Sequence, residues 1–119
     1  MAKSKRLNPI IIEDPEDGKE YTLEFNRKSV RKAESAGLNI SQVEAKSMTM
    51  LPLLFWASFL MHHPYMTQEK ADKILFEGLG GLSEAELTRL GELYAEPFNT
   101  LILSEDEKGE NPRKMTVKL

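Results

Sequence analysis

His62 and His63 are the only two imidazoles in the 119-residue chain, and imidazole is the side chain best suited to move protons or hold a metal near neutral pH. Neighbouring positions on a helix point about 100° apart, so the pair cannot face one ion or one substrate together. With no third histidine and no cysteine, a nitrogen or thiolate metal set cannot be assembled. The pair reads instead as two polar residues closing a helix, where the macrodipole favours a cation.

Arg27, Lys28, Arg31 and Lys32 fall together at three- and four-residue spacing, which makes one basic helix face. Such a face can contact phosphates. No aromatic interleaves it in sequence, and the chain carries a net charge of −3, so nucleic acid is not the expected partner. There is no phosphate loop, no Gly-x-Ser-x-Gly elbow, no His-Glu-x-x-His pair and no calcium loop. Gly78-Leu79-Gly80-Gly81 follows a helical pattern and not a strand, so it reads as a connector. The expectation is a protein that binds and assembles, with no catalytic residue, cofactor or metal, and not an enzyme.

The elements that position these residues centre on the run Met50-Leu51-Pro52-Leu53-Leu54-Phe55-Trp56-Ala57-Ser58-Phe59-Leu60-Met61, which holds the only tryptophan and no charge. As a helix it spans roughly 18 Å, short of the roughly 20 residues a bilayer crossing needs. Apolar side chains point all round its wheel, the pattern of a helix surrounded by protein. Either the whole run is core, or part of it, with Trp56 and the flanking Met50 and Met61, forms a groove or a self-association surface.

A chain of this length makes one domain around one core. The absence of cysteine excludes disulfides and fits a reducing compartment. The basic start lacks the apolar segment of a signal peptide, and the expectation is a soluble, cytoplasmic protein. The boundaries read as a mobile basic arm over residues 1–8, one domain over 9–103, and a disordered charged tail over 104–119.

Within the domain, Ile10, Ile11 and Ile12 and then Tyr21, Leu23 and Phe25 mark two strands joined at Asp14-Pro15-Glu16-Asp17-Gly18. Asn26 caps a helix that Gly37 stops. Ser41 and Glu44 form a capping box for a short helix to about Ser47, and Thr49 can cap the central one with Pro52 in its first turn; a single kinked helix from Gln42 to His62 is the alternative. His63-Pro64 ends the central helix. Thr67 caps the next, running to about Glu77. Ser83 and Glu86 open a last amphipathic helix through Leu90, Leu93, Tyr94, Phe98 and Leu101 to about Leu103, broken or kinked at Pro97. The fold class is mainly α with a small N-terminal β-hairpin, a bundle of four to five helices.

The sequence Leu23-Glu24-Phe25-Asn26, followed by Val30, Ala33-Glu34 and Gly37, then Leu53-Leu54-Phe55-Trp56-Ala57-Ser58-Phe59, the His63-Pro64 stop and the last helix with Leu93-Tyr94 and Leu101-Ile102, resembles the small tail assembly chaperones of long-tailed bacteriophages and prophages of Gram-positive bacteria. The likeness covers residues 20–103. It implies a helical, self-associating protein that coats the tape measure protein in the host cytoplasm before the tail tube polymerises, and that is absent from the finished virion. A methionine- and aromatic-bearing groove suits that task, because it can cover many different apolar faces. Leu51, Phe55, Trp56 and Phe59 are the expected partner-binding residues. The alternative is a small phage or mobile-element regulator that binds nucleic acid through the basic face. In the chaperone family a longer product often arises by ribosomal slippage, and Glu107-Lys108-Gly109 can be encoded by a slippery heptamer.

Overall fold

The computed structural model describes residues 7–101 and 114–119. Among them, two strands and four α-helices follow in the order β1 (Ile10–Glu13), β2 (Glu20–Leu23), α1 (Arg27–Ser35), α2 (Ser47–Phe59), α3 (Gln68–Lys73) and α4 (Glu84–Ala95). The protein is therefore mainly α with a small N-terminal hairpin, as the residue pattern predicts. No helix among the described residues is long and apolar enough to cross a membrane.

The hairpin is antiparallel, with Ile10 opposite Leu23 and Ile12 opposite Tyr21. Asp14 N–H bonds Lys19 C=O at 2.8 Å, and Gly18 turns the chain with φ +74. A two-stranded ribbon is marginal alone in water, and here one face lies on the helices. Leu23 and Phe25 are buried, with Ile10, Ile12 and Tyr21 packed partly against the core.

Local signals set the helix ends. Asn26 Oδ1 accepts the Ser29 N–H at 2.8 Å, and Ser29 Oγ accepts the Asn26 N–H at 2.9 Å. This reciprocal cap satisfies two N–H groups that the first turn of α1 leaves without helical partners. Asn26→Ala should cost about 1 kcal/mol, read as a lower urea midpoint, while Asn26→Asp should keep most of the stability. Gly37, at φ +108, turns the chain out of α1. Thr67 caps α3 and Ser83, with Glu86, boxes α4.

Two expectations change. Asn39 takes the capping position assigned to Ser41, its Oδ1 accepting the Ser41 N–H at 3.1 Å, and only a single 3-10 turn, Ile40–Gln42, follows. The central helix begins at Ser47 with no side-chain cap, so Pro52 lies inside it and not in its first turn. Its ring removes the N–H that would bond the Met48 carbonyl. Met48 is 81% exposed, a setting in which water can serve that carbonyl. At Pro97 the expected break is present: α4 stops at Ala95 and a 3-10 turn, Glu96–Thr100, contains the proline. After this break the apolar stripe no longer points inward, and Phe98 and Leu101 stand exposed.

α2 runs through the middle of the molecule, against α1, α3, α4 and β2. Leu53, Leu54, Phe55, Ala57, Phe59 and Leu60 from this segment meet Leu23, Phe25, Val30, Ala33, Ala71, Leu75, Leu90, Leu93 and Tyr94 in one core. The rings interlock edge to face, Phe55 with Phe59 at 5.1 Å, Phe59 with Tyr21 at 5.6 Å and Phe25 with Tyr94 at 5.2 Å between centroids. Each large apolar side chain withdrawn from water contributes about 1.5–3 kcal/mol.

Of the segments expected to be mobile, Leu7 and Asn8 are tied to α4 and the turn after it. Leu7 N–H donates to Glu96 Oε2 at 2.7 Å, and Arg89 Nη1 donates to the Asn8 carbonyl at 3.3 Å. Residues 1–6 and most of the expected tail, including Glu107-Lys108-Gly109, lie outside the described residues, as does Leu103. Residues 114–119 are exposed and carry no helix or strand.

Candidate functional site

α2 has an open side. Met48 is exposed, Leu51, Pro52 and Trp56 are partly exposed, and the residues between them are largely buried. Positions 48, 52 and 56 are four apart, and Leu51 lies beside them, so they form one apolar stripe along the helix. A helix apolar on all sides has here been covered on all but one.

The structure therefore divides the four expected binding residues. Phe55 and Phe59 are fully buried in the core and present no surface. Leu51 and Trp56 reach the surface. Met50, expected at the edge of a groove, is also buried, with its sulfur 3.5 Å from the Asn39 N–H; Met61 is half-buried. Met48, which the sequence reading did not single out, extends the stripe by a turn. Its signal was the four-residue spacing to Pro52 and Trp56.

Trp56 is held at one end. Its indole Nε1–H donates to the Met66 carbonyl at 2.9 Å, which fixes the ring and leaves its other edge to a shallow depression lined by Lys28, Arg31 and Lys32 of α1. Those three side chains are exposed. The ion pairs His62–Glu24 and Arg89–Glu92 do not reach this ridge. The site thus combines an apolar stripe, one positioned indole and a basic border. An indole offers a large apolar face to a partner, and a guanidinium or ammonium beside it selects an acidic one.

The histidines do something the sequence did not reveal. His63 Nε2 accepts the Thr22 N–H at 3.0 Å, which requires the neutral ring with its proton on Nδ1. His62 Nε2 lies 2.8 Å from Oε1 of Glu24, a carboxylate almost wholly buried. The Glu24 N–H bonds the Ser58 carbonyl at 2.9 Å. Together these fasten the outer edge of β2 to the end of α2, and Lys70 of α3 sits over the Tyr21 ring at 5.9 Å. No group of three His, Cys, Asp or Glu among the described residues could hold a metal ion.

Burial, and next the neighbouring His62, lower the His63 pKa from its ordinary 6.5. The folded chain then binds fewer protons here than the unfolded chain, so stability rises with pH across the window. Its contribution is full above 6.5 and is lost as pH falls through the depressed value. The urea midpoint should therefore fall between pH 7.5 and 5.5. His63→Gln, whose side-chain carbonyl can accept the Thr22 N–H without titrating, should fall less. The difference between the two proteins reports His63 together with its coupling to His62.

One family model matches residues 1–119, under the description Domain of unknown function (DUF5055). The chain belongs to the DUF5055 family. No curated protein and no solved structure matches it. The open stripe of α2 and its basic border are accordingly the features of this DUF5055 fold from which a function must be argued.

Proposed function

We propose that the protein is a tail assembly chaperone that covers amphipathic helices of a phage tape measure protein in the bacterial cytoplasm, by reversible apolar contact and without turnover. What supports this reading is the stripe of Met48, Leu51, Pro52 and Trp56, left open on a helix whose other sides are packed. A tape measure helix has an apolar face that would aggregate alone, and laying that face along the stripe withdraws both from water. The ridge of Lys28, Arg31 and Lys32 favours helices with acidic residues beside the apolar face and speeds their encounter. The resemblance of residues 20–103 to the tail chaperones points to the same partner.

Co-expression tests this. A tape measure fragment that is insoluble alone should stay soluble with the protein and co-purify with it. Loss of that effect in Leu51→Ala/Trp56→Ala, with the variant still folded, is the expected result. Equal rescue by wild type and variant would remove the reading.

A second reading is favoured by one observation, the placement of Trp56 among Lys28, Arg31 and Lys32. An aromatic on a basic surface is the combination that stacks and neutralises single-stranded nucleic acid. A regulator of this kind would bind an oligonucleotide with an affinity that falls steeply with salt, and Lys28→Glu/Arg31→Glu would abolish binding. Apolar contact with a tape helix would depend on salt far less.

A further inference from the structure

The hairpin has two edges, and the described residues cover only one. On β2 the N–H groups of Thr22 and Glu24 point away from β1, to His63 Nε2 and to the Ser58 carbonyl. Opposite residues in an antiparallel pair alternate between those that exchange backbone bonds and those that face outward. Thr22 is opposite Ile11 and Glu20 opposite Glu13, and the bond from Asp14 to Lys19 fits the same alternation. The backbone groups of Ile11 and Glu13 therefore face outward along β1, where no described residue pairs with them.

An open strand edge invites another strand. Beside this one lies a partly enclosed hollow of about 180 Å³, whose lining includes all four residues of β1 together with Leu79, Leu82, Glu86 and Leu90. Ile10 and Ile12 face inward, while Ile11 and Glu13 face out.

The same chain carries a segment of matching pattern. Met115-Thr116-Val117-Lys118-Leu119 alternates apolar and polar with period two, the signature of a half-buried strand. Yet Met115 is 85%, Val117 64% and Leu119 fully exposed. Laid parallel to β1 with Lys118 beside Glu13, Met115 and Val117 would continue the inward face of Ile10 and Ile12 over the hollow, with Leu119 just beyond them. Thr116 and Lys118 would then share the outward face with Ile11 and Glu13, bringing an ammonium beside a carboxylate.

We propose that the edge of β1 receives the segment Met115 to Leu119 of a second copy of this chain. Met115, Val117 and Leu119 are exposed in the single chain, so its own described fold leaves their strand-forming face uncovered and open to another molecule. Donation from one copy to the next is a head-to-tail contact, so it builds rows of copies unless a ring closes. The proposal does not depend on the chaperone reading, because it concerns self-association alone.

The chain has no cysteine, which makes cross-linking direct. Full-length Glu13→Cys and Lys118→Cys proteins, mixed and mildly oxidised, should give the mixed disulfide well above either symmetric one. Val117→Asp, added to the Lys118→Cys partner, should abolish the mixed product, and sedimentation of the Val117→Asp protein should show loss of concentration-dependent mass. The proposal is overturned by symmetric products only, or by a mixed product that persists with Val117→Asp. It is equally overturned if one chain bearing both cysteines closes on itself as a monomer and blocks the mixed product.

Discussion

Phe59→Ala should lower the free energy of unfolding by about 3–5 kcal/mol. Phe59 is completely buried, and its ring is the joint between three elements. It meets Phe55 within α2, Tyr21 on β2, and His63, whose ring lies 6.2 Å away. Truncation to alanine loses the transfer energy of the ring and leaves a cavity that rings held from two sides cannot close. It also loosens His63, which holds the Thr22 N–H, so the hairpin should detach early. Domains of this size have total stabilities of about 5–15 kcal/mol, so the variant should be partly unfolded at moderate temperature. Thermal unfolding followed by circular dichroism should show a midpoint lowered by about 10–20 °C, and Phe59→Leu should recover most of it. A shift of only a few degrees for the alanine variant would mean that the core is not centred on this ring.

Trp56→Ala, three residues earlier on the same helix, should do the reverse. It loses one hydrogen bond and part of a half-buried indole, about 1–2 kcal/mol of stability, but it removes the largest apolar group on the open stripe. Buried tryptophans at interface centres commonly contribute 2 kcal/mol or more to binding, so affinity for an amphipathic tape measure helix should drop about 30-fold. Titration calorimetry with a folded variant, checked by its unfolding midpoint, separates the two effects. Leu51→Ala, at the flank of the stripe, should cost less. If Phe59→Ala, measured where it remains folded, weakened binding more than Trp56→Ala, the contact surface would have to lie elsewhere.

The parts of the fold legible in the sequence are those fixed within a few residues. The cap at Asn26, the boxes at Ser83 and Glu86, the turn through Gly18 and the break at Pro97 each follow from steric or hydrogen-bonding demands that no distant residue alters. The central run was legible as a buried helix for the same reason, since twelve uncharged residues cannot remain in water. Its limits were not. Thr49 is the better cap in isolation, but its own N–H and that of Met50 bond the Lys46 carbonyl, which sets the start of the helix at Ser47, and Pro52 is tolerated where a neighbouring carbonyl can be solvated.

What could not be read was which neighbour covers which side. A wheel apolar all round does not say that Phe55 and Phe59 go inside while Leu51 and Trp56 stay outside; that follows from where α1, α3, α4 and the hairpin come to rest. Likewise Glu24 alternates as an outward residue, yet it is buried because His62, 38 positions away, supplies a partner.

The most direct test uses the chain's single tryptophan. Because that residue is Trp56, its fluorescence reports on the proposed contact surface alone when a tryptophan-free tape measure fragment is titrated in. A tape helix seated on the stripe should shift the emission to the blue and protect it from a soluble quencher, with the same midpoint as binding measured by calorimetry. Binding that leaves the spectrum and the quenching of Trp56 unchanged would contradict the assignment of this face.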